Sequence, residues 1–145
     1  MRSIYQSVRE NWLSSGTSVN GGTSPALIRQ FQDKHKIIVP EEFREYLMTS
    51  NGMQNYETDE TLISFLPLEL IDPVVSPRIA APNVVDIVFA DYLLYSHFYA
   101  LRSTTDGKQL GIYALDGENE KEIARTFGDF LHAYLANPER IADCW

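Results

Sequence analysis

The stretch that decides the fold is VPEEFREYLMTSNG, residues 39–52. It predicts one short helix, with residues typical of a helix start at one end and of a helix stop at the other. Pro40 suits the first helical position, where a missing N–H costs nothing. Glu41 and Glu42 follow in the first turn, where the unpaired N–H groups favour negative charge. Gly52, preceded by an asparagine, predicts the end of the helix, because glycine adopts a left-handed cap without a Cβ clash.

One face of this helix is apolar. Phe43, Tyr46 and Leu47 recur at i, i+3 and i+4, and this spacing predicts that the face enters the core. The preceding helix is marked in a similar way, with Ser24 as its N-cap and Pro25 at its first position. The first third of the chain is therefore expected to be helical.

An amphipathic helix is also predicted over residues 3–14, where Ile4, Val8 and Trp12 share one face at a spacing of four. Residues 14–22 are rich in glycine and serine, a composition typical of loops. Their glycines match no phosphate-binding motif, so we expect a plain connection.

The pattern changes to strands after residue 60. Runs of β-branched and apolar residues predict strands over residues 61–66, 84–90, 98–103, 110–115 and 121–124. Asp-Gly pairs at residues 106–107 and 116–117 predict tight turns, which implies antiparallel pairing. Four prolines between residues 67 and 83 predict an irregular crossing rather than a central strand.

The C-terminal part returns to helix. Thr126 is a suitable N-cap, and the residues after it form an apolar stripe expected to pack on the sheet: Phe127, Phe130, Leu131, Tyr134 and Leu135. This order of elements indicates an α+β fold: N-terminal helices, then a central antiparallel sheet of about four to six strands, with a C-terminal helix packed on it. No linker or repeat divides the chain, so we expect a single domain over residues 1–145.

The charge is negative and unevenly distributed. The chain has 20 acidic and 12 basic side chains, a net charge of −8, and residues 57–122 alone carry twelve acidic and four basic side chains. Nucleic acids and anionic membranes repel such a chain, so neither is an expected partner, whereas a basic protein would be attracted. A surface that is acidic only for solubility is the simpler alternative.

Cysteine content and hydropathy indicate the cellular compartment of the protein. Cys144 is the only cysteine, so no disulfide can form within the chain, which fits a reducing environment. The N-terminal residues are too polar for a signal peptide, and no apolar run is long enough to span a bilayer. We therefore expect a soluble cytoplasmic protein.

Several segments together resemble a known family. Residues 39–47 followed by the Asn-Gly pair at 51–52, the sequence FLPLE at 65–69, FAD at 89–91 and IARTFGDFL at 123–131 match the pattern of the SUKH superfamily in the right order. This group contains the Smi/Knr-type yeast cell-wall regulators and many bacterial immunity proteins. The resemblance covers about the whole chain.

The resemblance implies an α+β domain that binds and neutralises a cognate bacterial toxin, for instance a nuclease, by covering its active or substrate-binding surface. A regulatory or scaffold module of the same fold, without a toxin partner, is the alternative. The motif residues of the family are mostly structural, so they imply no catalytic residue. Neither the toxin nor the oligomeric state follows from the sequence.

The residue types needed for catalysis or metal binding are present without the corresponding motifs. His35, His97 and His132 lack the spacing of a metal site. Cys144 is penultimate, a poor position for a nucleophile that must be held in place. We therefore predict no metal, no cofactor and no enzymatic activity, and an enzyme hypothesis would need a measured turnover to support it.

A partner-binding surface is predicted from the acidic clusters and the aromatic residues beside them. Tyrosines flank several apolar runs, at residues 56, 92, 95 and 99, and an exposed tyrosine beside acids makes a good interface anchor. The residues expected to contact a basic toxin domain are Tyr56, Glu57, Asp59, Glu60, Asp86, Asp91, Glu118 and Glu120.

Overall fold

The computed structural model describes residues 3–54, 57–75, 81–93 and 95–145. Within them, the helices are α1 (Ile4–Ser14), α2 (Pro25–His35), α3 (Glu41–Thr49), α4 (Phe127–Ala136) and α5 (Pro138–Ala142). The predicted N-caps are confirmed, because Ser24 and Thr126 accept backbone N–H bonds from residues three positions further on. Pro40 is the N-cap residue of α3 and lies one position before the place predicted for it.

The end of α3 differs from the prediction. The helix finishes at Thr49, and its C-cap, Ser50, is extended rather than left-handed. Gly52 does have a positive φ, +67°, but it lies beyond the cap. A Cβ at this position would come within 2.5 Å of the backbone oxygen of Leu66, so glycine is required there by a close approach of two chain segments.

The strands form one antiparallel sheet, as predicted. They are β1 (Ile63–Phe65), β2 (Val74–Val75), β3 (Val84–Tyr92), β4 (His97–Thr104), β5 (Gln109–Leu115) and β6 (Glu120–Ala124). The order across the sheet is β1-β3-β4-β5-β6, and β2 also pairs with β3. The two-residue strand β2 lies in the proline-rich crossing, where an irregular crossing rather than a central strand was predicted.

The core lies between the helices and one face of the sheet. Its centre is a group of aromatic rings from helices and strands, each no more than 1% exposed: Trp12, Phe43, Tyr46, Phe65, Phe89, Phe127 and Phe130. The stripe on α4 packs on the sheet as expected, with Phe130 5.2 Å from Phe89 and 6.3 Å from Phe65 between ring centroids. We call the face of the sheet that packs against the helices the helix face.

The register assigns other residues to the opposite face. Asp86 pairs with Arg102, Val88 with Ala100, and Phe98 with Leu115, so these side chains alternate with those of the core. Bulges after Val88 and after Arg102 shift the register within β3–β4 and β4–β5. Among the described residues, no helix is both long and apolar enough to cross a membrane.

Candidate partner-binding surface

The topology brings three turns to one end of the sheet. Ile63 pairs with Tyr92, and Tyr92 pairs with His97. On the next strands, Leu115 of β5 lies at the same end of the sheet and pairs with Glu120 of β6. The segments that precede or connect these residues therefore lie side by side. We call them the turn end: residues 57–62, the described residues of the β3–β4 turn (Leu93, Tyr95 and Ser96), and residues 116–119.

Asp59 supports the first of these turns from inside the protein. Its Oδ1 accepts hydrogen bonds from the N–H of Thr61 (2.8 Å), the hydroxyl of Thr61 (2.7 Å) and the N–H of Ile63 (3.0 Å). Its Oδ2 accepts the hydroxyl of Tyr134, which in turn accepts Trp12 Nε1–H at 2.8 Å. Burial, and then the charge of Asp59, raise the pKa of Tyr134 above its usual range. The carboxylate is thus fully used in holding the turn on the core.

Asp91 plays a corresponding role in the second turn. Burial raises the pKa of Asp91, and a hydrogen bond from the backbone of Tyr95 opposes part of that rise. Asp91, next to the last residue of β3, therefore interacts with the backbone of the turn that follows the strand.

Asp86 belongs to a charge cluster on the opposite face of the sheet. Arg102 donates from Nε and Nη2 to the two oxygens of Asp86, at 2.8 and 3.2 Å, and from Nη1 and Nη2 to those of Glu120, again at 2.8 and 3.2 Å. Arg102 also lies over the ring of Tyr113, 4.0 Å from its centroid, and Tyr113 donates its hydroxyl to Glu122. Burial would lower the pKa of Arg102, but the hydrogen bonds with both carboxylates hold it above its usual value.

The structure corrects the accessibility of three predicted contact residues. Asp59, Asp86 and Asp91 were expected on an accessible acidic surface, but they are only 8%, 1% and 6% exposed. Sequence reasoning missed this because a carboxylate in a loop or strand shows its charge but not whether the fold buries it: Tyr134 reaches Asp59, and Arg102 reaches Asp86, only in the folded chain.

The other predicted contact residues have different surroundings. Glu60 and Glu118 are exposed at the turn end. Glu57 is partly buried and accepts the N–H of Ser18 at 3.1 Å, while Glu120 is partly buried and bonded to Arg102. Tyr56 lies outside the described residues.

Exposed apolar side chains also lie at the turn end, and only the tyrosine among them was considered from sequence. Leu62, Leu93 and Tyr95 are 44%, 47% and 67% exposed. All three have positive φ values, +73°, +49° and +75°. Bulky residues rarely adopt this conformation, which costs roughly 1–3 kcal/mol each. The two turns are joined, because the N–H of Leu93 donates to the carbonyl of Leu62 at 3.0 Å.

His97 lies on the helix face beside these turns. Tyr99 donates its hydroxyl to the carbonyl of Ile141, so it accepts the N–H of His97 Nε2, 2.8 Å away. Burial lowers the pKa of His97, against a weaker opposing effect of Asp116. The part of the chain that the structure describes contains no group of three or more side chains suited to hold a metal ion.

Comparison with known proteins identifies the family. A model of the SMI1 / KNR4 family (SUKH-1) matches residues 22–133, from the loop before α2 to within α4. The chain belongs to this family. The resemblance noted from the sequence is thereby confirmed. No curated protein matches the chain.

The Asn-Gly pair of this SUKH-1 chain has a structural role. The side chain of Asn51 accepts the N–H of Leu68 at 2.7 Å and donates to both carboxylate oxygens of Glu69, at 3.1 and 3.2 Å. Together with the tight approach of Gly52 to Leu66, these bonds fix the segment after α3 against the segment after β1. The pair therefore joins two parts of the SUKH-1 fold and contributes no chemistry.

Proposed function

We propose that this SUKH-1 chain is an immunity-type protein that binds a basic bacterial toxin domain and neutralises it by covering its active or substrate-binding surface. A nuclease is the toxin class that best fits the charge. The proposed role is binding rather than catalysis, and it would be exercised in the cytoplasm, the compartment that a lone cysteine favours.

The distribution of negative charge is the observation that carries this proposal. Residues 57–122 hold a net charge of −8, equal to that of the whole chain, and they include the turn end and all of the sheet except the last two residues of β6. Two of the predicted contact residues, Glu60 and Glu118, are exposed there, in the segments on either side of the β3–β4 turn. Membership of the SUKH-1 family supports a protein-binding role of this kind.

The physical basis is charge complementarity. A nuclease binds phosphates with lysine and arginine side chains, so its substrate surface is basic. An acidic face is steered towards such a surface and speeds the encounter, and its carboxylates take the positions of the phosphates. Because these charges are exposed, the attraction should weaken strongly as salt rises.

The test is a pull-down from the cell of origin at low salt, with the tagged chain as bait. Recovery of one basic toxin-like domain, released as salt rises, would support the proposal and name the activity to assay. Several unrelated proteins, or none, would favour a regulatory scaffold and make the acidic surface a matter of solubility.

Charge reversal makes the test specific. Glu60→Lys and Glu118→Lys should each weaken binding of the recovered domain by about tenfold at low salt, and by much less at high salt. Asp33→Lys, on the exposed side of α2, is the matched control and should change affinity far less. Equal effects of all three reversals would show that only the net charge matters and would count against binding at this surface.

A further inference from the structure

The turn end combines features that stability alone does not explain. In the described part of the chain, four residues other than glycine have positive φ values, and three of them are Leu62, Leu93 and Tyr95. Glycine or asparagine would adopt this conformation more easily. The fold instead holds two leucines and a tyrosine there, and it exposes each of them by more than two fifths.

The strained backbone is held by the two buried aspartates. Asp59 binds the N–H groups on both sides of Leu62, those of Thr61 and Ile63. A hydrogen bond from the backbone of Tyr95 lowers the pKa of Asp91, and the N–H of Leu93 ties the second turn to the first by donating to the carbonyl of Leu62 at 3.0 Å. Both carboxylates are therefore positioning groups, which fix the direction in which the exposed apolar side chains leave the turn.

The surroundings match the anatomy of a protein interface. An interface core is apolar and often aromatic, and its rim is polar and accessible to water. The ring of Tyr95 lies 5.9 Å from that of Phe98, which continues the apolar surface along β4. Glu60 precedes Leu62 by two positions, and Glu118 lies in the adjacent β5–β6 turn, so exposed carboxylates flank the apolar residues on two sides.

We propose that Leu62, Leu93 and Tyr95 form the central contact of the interface with the partner, inserting into an apolar recess between the basic side chains that meet Glu60 and Glu118. This inference rests on the proposed function. The occupant is a basic protein domain, because the flanking carboxylates would repel an acidic one and attract lysine and arginine. Tyr95 is the main anchor, being large, aromatic and the most exposed of the three.

The first experiment locates the contact before the partner has been identified. The photo-crosslinker p-benzoylphenylalanine is placed at position 95 and, as a control, at position 110 in cells of the source organism. Leu110 is similarly apolar and 40% exposed, but it lies near the start of β5, at the other end of the sheet. A basic domain crosslinked from position 95 and not from 110 supports the proposal.

The second experiment uses glycine substitutions and the purified basic domain so captured. Tyr95→Gly should weaken its Kd by about 30-fold and Leu62→Gly by about tenfold, since central anchors dominate binding. The melting temperature should stay unchanged or rise, because glycine relieves the left-handed backbone at both positions. Lys36→Gly is the matched control: Lys36 has a φ of +56° at the end of α2, so the substitution should have the same effect on stability and change Kd less than twofold.

The outcomes separate this inference from the proposed function. A basic domain crosslinked from position 110 alone, or bound equally well by Tyr95→Gly, would leave a toxin-binding role standing but overturn the turn end as its surface. Adducts from position 95 with acidic or unrelated proteins would overturn the basic partner. No adduct from either position, with no domain recovered by pull-down, would overturn both.

Discussion

The two faces of the sheet are both buried at their centres, but by different chemistry. On the helix face, Phe65 is fully buried and lies 4.8 Å from Trp12 and 5.1 Å from Tyr134 between ring centroids. On the opposite face, Arg102 and Asp86 are 3% and 1% exposed and satisfy each other through two hydrogen bonds. On the helix face, apolar side chains exclude water. On the opposite face, the buried charges of Arg102 and Asp86 compensate each other.

This difference shows that not every acidic residue of the sequence contributes to an acidic surface. Asp59, Asp86 and Asp91 are each used to support a turn or a strand from within. At the turn end, by contrast, Glu60 and Glu118 remain exposed.

The largest effect should follow truncation of the aromatic core. Phe65→Ala should lower the free energy of unfolding by about 3–5 kcal/mol, because it removes apolar contacts and leaves a cavity that packed neighbours cannot fill. Phe98→Ala, on the partly exposed opposite face, is the control and should cost roughly 1 kcal/mol. Urea-induced unfolding measures both, and equal losses would show that the two faces are packed alike.

Loss of the buried guanidinium group of Arg102 should lower the free energy of unfolding nearly as much. Arg102→Met should destabilise the protein by roughly 3 kcal/mol, because Asp86 is then left buried without its partner. Adding Asp86→Leu to that variant should recover much of the loss, since the uncompensated charge is gone. A double variant no more stable than Arg102→Met would mean that the unpaired charge is not the cause.

Two buried tyrosines on the helices that cover the sheet give a smaller, matched comparison. Tyr134→Phe should cost about 1–2 kcal/mol, because it leaves Trp12 and Asp59 short of a partner. Tyr46→Phe should be neutral or stabilising, because the buried hydroxyl of Tyr46 has no hydrogen-bond partner in the structure as described. Thermal unfolding distinguishes the two, and a loss in Tyr46→Phe would reveal a partner for its hydroxyl.

The smallest effect is a pH dependence on the helix face. Burial lowers the pKa of His97, which is packed among Tyr92, Tyr99 and Trp145 with Asp116 nearby, so the unfolded chain binds the proton more readily. The free energy of unfolding should therefore fall as the pH drops below about 6.5.

His97→Gln should reduce this slope while keeping an N–H donor for Tyr99. Asp91, whose pKa is raised by burial, has the opposite effect nearer pH 4, so the comparison belongs between about pH 5.5 and 7.5. An unchanged slope in the His97 variant would assign the effect to another group.

Much of the fold follows from local patterns in the sequence. The serine and threonine caps, the apolar faces of the helices and the Asp-Gly turns marked the elements to within a few residues, because each depends on the conformational preferences of neighbouring residues. The sequence also determined the net charge, its concentration in residues 57–122, and the family, through motifs that hold the segment after α3 in place.

Only the tertiary structure decided which charged residues are accessible. The hydrogen-bond donors to Asp59 come from the turn it precedes and from Tyr134, 75 positions away. The carboxylates that bind Arg102 come from two other strands. The left-handed conformation of Leu62, Leu93 and Tyr95 likewise has no local signal, since leucine and tyrosine disfavour it. The sequence specified the charges and the elements, and packing between distant segments specified the surface they present.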